Sequence, residues 1–174
     1  MPSLDLAIPD TRVYVSSPSV AMHSPILVRP IRQSDFAAWQ PLWNCYNAFY
    51  GREGATALSA ATTSTTWQRF FEPTEPVYAL VAQAEGTLLG LAHYLFHRST
   101  TRVELTCYLQ DLFTVEAERG RGVGRSLIEG VHQAAKAAGV KRVYWQTHET
   151  NVAGRLLYDK VAKHAGFIVY GSEV

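Results

Sequence analysis

The chain has 174 residues, 47% of them hydrophobic and 18% charged, which is enough for one domain to bury its own core without disulfides or a structural metal. A formal net charge of +1 argues against a surface built to coat nucleic acid or an anionic membrane, and no apolar run reaches the ~18 residues that a membrane span needs. Two cysteines, Cys45 and Cys107, lie far apart without CxxC spacing, so neither a disulfide framework nor a cysteine metal cluster is expected, and a reducing cytoplasm fits.

Residues 1–25 lack the basic and apolar regions of a signal peptide and carry a Ser/Pro-rich piece at 16–19, which reads as a loosely attached N-terminal arm able to pack on a partner subunit. The domain proper is expected over 26–174. Ile26 to Ile31 reads as an edge strand, because Pro30 cannot donate to a ladder. After a Ser34-Asp35 cap, Phe36, Trp39, Leu42, Trp43 and Tyr46 recur at helical spacing, and a second helix is expected over Ala60 to Phe71. Strands follow at Val77 to Ala82, Leu88 to His97 and Val103 to Val115, the first two joined by the Glu85-Gly86 turn. A helical stripe from Val123 to Ala135 ends at Gly139, Lys141 to Thr147 returns to strand, Asn151 to Ala165 is helical, and Phe167 to Tyr170 closes as a last strand. The order β-α-α-β-β-β-α-β-α-β predicts an α/β fold with a mixed sheet and helices on both faces.

The most informative segment runs from Leu112 through Arg119-Gly120-Arg121-Gly122-Val123-Gly124-Arg125, a strand passing through a glycine-rich turn into a helix. Such a turn is an anion site: the glycines let main-chain N–H groups approach a ligand, the helix start adds unpaired N–H groups, and Arg119, Arg121 and Arg125 bring full charges. It is not a P-loop, since position 119 is not glycine and no lysine follows Gly124; nor is it a dinucleotide fingerprint, since Gly124 comes one residue too early after Gly120-x-Gly122.

Arg119-x-x-Gly122-x-Gly124 after a strand resembles the Arg/Gln-x-x-Gly-x-Gly/Ala signature of the GNAT acetyltransferase superfamily. The resemblance continues through Tyr108 to Phe113 upstream, through Tyr144 to Asn151 downstream, and through Arg155 to Ala162 with Gly166 to Tyr170, so that it covers Ile26 to Tyr170. The closing run is similar to a branch that includes yeast acetyltransferases acting on histones, polyamines and D-amino acids. The resemblance implies acetyl-CoA as cosubstrate with no metal, an amine-bearing small molecule or peptide as acceptor, splayed fourth and fifth strands that admit the pantetheine arm, and a homodimer. It assigns the main chain of Leu112, Phe113, Thr114 and Val115 to that arm, and the turn Arg119 to Gly124, with Arg125, to the pyrophosphate. In the family's Asn-x-x-Ala-x-x-x-Tyr pattern, Asn151 contacts CoA and Tyr158, two helical turns on, stands near the sulfur as general acid; Gly154 replaces the alanine.

A general base is less plainly written. The polyamine-type members carry Glu where this chain has Gln110, which cannot accept a proton. Strict alternation would send the neighbouring Asp111 to the opposite face. Asp111 and Glu149 are the carboxylate candidates, His93, His97 and His148 the histidines, with water relay as the remaining route. Cys107 reads as a small core residue and not as an acyl carrier. The aromatics Trp39, Trp43, Tyr46, Phe49 and Tyr50 read as helix core, with some able to line an acceptor pocket. Two other readings are a non-catalytic acetyl-CoA sensor, against which the pair Asn151 and Tyr158 speaks, and a protein- or histone-directed enzyme. No basic run with interleaved aromatics calls for nucleic acid.

Overall fold

The computed structural model describes residues 24–174. The expected arm at 1–25 therefore lies almost wholly outside the described residues. Five strands, β1 (Leu27–Pro30), β2 (Val77–Ala84), β3 (Thr87–His97), β4 (Thr106–Thr114) and β5 (Val143–Tyr144), form one sheet in the order β1-β2-β3-β4-β5. Neighbours are antiparallel from β1 to β4, and β4 and β5 are parallel. Pro30 sits in the edge strand, as its missing N–H requires.

Helices α1 (Phe36–Phe49) and α2 (Ala60–Arg69) cover one face, and α3 (Val123–Ala137) packs on the other, followed by α4 (Val152–Val161). Two cores result. Leu127, Ile128 and Val131 of α3 close over Leu80, Ala92, Cys107 and Leu109, while Trp39, Leu42, Trp43 and Tyr46 of α1 close over Ala79, Val81 and Leu91. The helical stripes of α1 and α3 are thus the buried ones, and alternating residues of β2 and β3 serve the two faces. The approach to α1 is pinned by Asp35, which accepts from the Arg32 amide at 2.8 Å and pairs with Arg29 at 2.6 Å; that guanidinium holds the Asp35 carboxyl below its ordinary range.

Two expected strands come out differently. β5 is two residues long instead of seven, because it pairs with β4 only at Cys107↔Val143 and Tyr108↔Tyr144 before the strands part. The strand expected over Phe167 to Tyr170 does not join the sheet: all four side chains are exposed, and α4 ends at Val161 with an extended Ala162. A strand needs a ladder partner, and a two-residue β5 is too short a template for four more residues.

Candidate active site

Beyond Tyr108 the outer edge of β4 has no strand partner, although the strand continues to Thr114. The gap left by this parting is a cavity of about 490 Å³. One wall is β4 at Leu112, Phe113 and Thr114; the far wall is α4 with Asn151, Gly154 and Tyr158; the floor is the glycine turn with the first residues of α3; and the mouth is the C-terminal end of α1 with Tyr46, Phe49 and Tyr50.

The turn has the conformation its glycines allow. Gly120 and Gly122 have φ of +79° and +88°, and Gly122 is the N-cap of α3. Residues with a Cβ are strained there, so glycine is the residue for the turn. The first amides of α3 have no carbonyl one turn earlier and face the cavity at Val123, Gly124 and Arg125, giving it a ready set of donors and the positive end of a fifteen-residue helix. A Cβ on Gly124 would come within 3.1 Å of Leu157 Cδ2, so the small residue also lets α4 approach α3. Of the three arginines, Arg119 and Arg125 line the cavity, whereas Arg121 turns onto Glu118 in an ion pair and does not.

Asn151 caps α4: its Oδ1 accepts from the Gly154 amide at 3.0 Å and its Nδ2 donates to Thr147 Oγ1 at 2.9 Å. Gly154 owes its identity to this cap, because a Cβ there would lie 2.5 Å from Asn151 Nδ2. Tyr158 follows two turns on, half-buried, with its ring edge-on to Trp145 at 5.5 Å between centroids. Burial, then the nearby Tyr50, push its hydroxyl up to about 12, with Thr147 pulling slightly the other way. The group therefore stays a neutral O–H donor at any physiological pH.

On β4 the register slips. His93 pairs with Asp111 and Tyr94 with Leu109, so Gln110 is an extra residue, a bulge. Leu109 and Leu112 both pack toward α3, while Asp111 and Phe113 face α1. The strict alternation expected from the sequence fails here, and its failure puts Asp111 on the side that residue 110 would otherwise occupy. Gln110 is exposed. Asp111 is 8% exposed, its carboxylate accepts from His93 Nδ1 at 2.9 Å, and it acts on three hydroxyls already raised by burial: its charge and a hydrogen bond raise Tyr46 further, its charge raises Tyr50, and Tyr144 and then Asp111 raise Tyr108.

Neither Asp111 nor any of the remaining candidates is among the residues that line the cavity. Glu149 and His148 are exposed in the turn before α4, His148 bonded to Thr150. His97 contacts Tyr144 and the Arg98 carbonyl. Cys107 is fully buried in the α3-side core, where burial pushes its thiol up to about 12. Val115 gives its amide to Leu89 on β3. Sequence reading missed Arg52, just past α1. Its Nε donates to Asn47 Oδ1 at 2.7 Å and its guanidinium lies 5.8 and 5.2 Å from the rings of Tyr46 and Tyr50; a cation within one turn of a run of aromatics was the available signal.

With this geometry in view, the pattern of the Acetyltransferase (GNAT) family matches residues 39–163. The chain belongs to that family. It is an acetyl-CoA-dependent N-acetyltransferase. It is 36% identical over 155 residues to the D-amino-acid N-acetyltransferase HPA3 of Saccharomyces cerevisiae, covering 88% of this chain and 94% of that protein. The uncharacterized N-acetyltransferase YhfO of Bacillus subtilis is 30% identical over 149 residues, covering 82% and 94%. Among solved structures, AAC(6')-Iy in complex with a bisubstrate analogue containing CoA superposes with a TM-score of 0.72 at 14% identity, over 87% of this chain and 99% of that one. The last comparison speaks for the fold. Among the described residues no cluster of histidine, cysteine and carboxylate side chains has metal-binding geometry.

Proposed function

We propose that the enzyme moves the acetyl group from acetyl-CoA directly to a primary amine within a ternary complex, with Tyr158 as proton donor to the departing thiolate and Asp111 as the base. The observation that carries this reading is the shared cavity: an unpaired edge of β4, an amide-rich helix start and Tyr158 line the same space. The arm of CoA would run along β4 as a missing strand, with the main chain of Leu112 to Thr114 as its hydrogen-bonding partner and the pyrophosphate on Gly120 to Arg125. A β4 amide near Leu112 would take the oxyanion of the tetrahedral intermediate.

The acceptor enters from the α1 end. Asp111 beside Tyr46 and Tyr50 suits an ammonium that must lose its proton before attack. Arg52, with no ion pair among the described residues, lies over the same two rings and suits a carboxylate. An amino acid carries both groups, and HPA3 is named for such acceptors. The test is thiol release from acetyl-CoA with a panel of D- and L-amino acids, polyamines, aminoglycosides and peptides. Amino acids are expected to lead; absence of thiol release with every amine overturns the reading.

A further inference from the structure

The buried face between β3 and α1 holds a chain of three polar groups, two of which the reaction above does not itself call for. Trp39, fully buried in α1, donates its indole Nε1–H to His93 Nε2 at 3.0 Å, and His93, 2% exposed on β3, meets Asp111 Oδ2 through Nδ1 at 2.9 Å. The surroundings are otherwise aromatic: the His93 ring lies 4.6 Å from Phe70, 5.2 Å from Trp43 and 5.9 Å from Trp39 between centroids. Burying a tryptophan N–H, an imidazole and a carboxylate in such a core is favourable only when each finds its partner. The partners here also dictate where the protons are.

An indole nitrogen is a donor and never an acceptor. His93 Nε2 must therefore present its lone pair to Trp39, and the single imidazole proton resides on Nδ1, from which it is donated to Asp111. A second proton on Nε2 would point N–H at N–H across 3.0 Å with no acceptor between them. We propose that Trp39 and His93 are positioning residues: together they lock the imidazole as the neutral Nδ1–H tautomer and hold one oxygen of Asp111, so that its other oxygen is the proton acceptor for the incoming amine. The inference rests on the acetyl-transfer reading of the site and assigns the proton's route within it.

The proton balance is simple. An N–H bond of the acceptor ammonium breaks, an O–H bond forms on the Asp111 oxygen that His93 does not hold, and the amine keeps the electron pair with which it attacks. His93 neither gains nor loses a proton and gives the carboxyl one fixed donor throughout. Other groups facing the carboxylate are the hydroxyls of Tyr46 and Tyr50 from α1 and Tyr108 from β4, all raised by burial and by the Asp111 charge, so that they stay neutral and none neutralises Asp111 in its place. Arg52, near both rings, opposes part of that rise at Tyr46 and Tyr50. The β4 bulge at Gln110 is what brings Asp111 to His93, so the three features act as one unit.

Two measurements on the full chain test the proposal. In protein labelled with ¹⁵N-histidine, long-range nitrogen–proton correlation at neutral pH should find the His93 proton on Nδ1 and the lone pair on Nε2. Trp39→Phe removes the donor and keeps an aromatic ring. In that variant Nε2 no longer faces a donor, so a second proton there is unopposed and the imidazolium can compete for Asp111; kcat/KM for the acceptor should drop on the acid side by about tenfold or more and recover as pH rises. Acetyl-CoA affinity, read by calorimetry, should stay within about twofold, since no CoA contact is touched. A proton on Nε2, an imidazolium in the parent protein, or a Trp39→Phe pH profile that superimposes on the parent's overturns the proposal; should the variant not fold, the parent's tautomer alone decides. An active enzyme with the wrong tautomer overturns only this assignment, whereas a parent protein that releases no thiol with any amine overturns the reaction on which it rests.

Discussion

Removal of one oxygen atom, Tyr158→Phe, separates two ways in which this hydroxyl can assist the leaving thiolate. The Tyr158 O–H is pushed up to about 12 by burial and by Tyr50, whereas an ordinary thiol titrates near 8.5. In the proposed reaction complete transfer of the proton to sulfur is therefore uphill, and the hydroxyl is expected to act chiefly as a hydrogen-bond donor to the developing negative charge. A hydrogen bond to a charged partner contributes about 1.5–3 kcal/mol, which at 1.36 kcal/mol per decade is roughly a ten- to two-hundredfold change in rate. Full general-acid catalysis would give up to about ten-thousandfold. The ring contacts with Trp145 and the α3-side core are kept, so acetyl-CoA affinity should hold. The assay is single-turnover acetyl transfer to the best acceptor across pH, with cofactor affinity by calorimetry. An unchanged single-turnover rate makes Tyr158 a packing residue; a loss confined to affinity makes it a cofactor contact, and either result refutes the donor role.

Gly122→Val places a β-branched residue at φ +88°, at a strain of about 1–3 kcal/mol; it should lose acetyl-CoA binding, and a folded variant that binds normally would remove the pyrophosphate from this turn. Arg52→Ala should raise KM for amino acids by about tenfold or more, the equivalent of one charge-assisted bond, and leave the corresponding decarboxylated amines unaffected; equal effects on both series would end its role as carboxylate anchor. Stability should fall at alkaline pH. Cys107, Tyr94 and Tyr158 are each raised to about 12 by burial from ordinary values of 9.0 and 10.0. The unfolded chain therefore releases these protons first, and the stabilisation is complete below about pH 9 and is lost as pH climbs toward 12. A Tm that is flat to about pH 11 in thermal scans would contradict the burial of these groups.

Local chemistry was enough to place most of the fold and one half of the site. The glycine turn, the helix start after it and the Asn151-to-Tyr158 spacing are short-range facts, because φ permissiveness, unpaired amides and a 3.6-residue period act within a few residues. The stripes of α1 and α3 likewise announce buried faces, and Pro30 announces an edge. The Arg121 contact with Glu118 and the capping task of Asn151 are also local, yet each depends on which of several rotamers the packed turn selects.

What tertiary structure decided is the proposed acceptor half. Whether β4 alternates or bulges at Gln110 depends on how it registers against β3, where Leu109 pairs with Tyr94 and Asp111 with His93, and that one slip moves Asp111 from the opposite face to the end of a polar chain. Trp39 and His93 are 54 residues apart and read separately as a core aromatic and a stray histidine. The length of β5 and the exposure of Phe167 to Tyr170 were equally hidden, since strand composition states a capacity to pair and only the assembled sheet supplies the partner. Sequence determined the groups available for acetyl transfer; the fold, by register and by parting two strands, determined which of them meet.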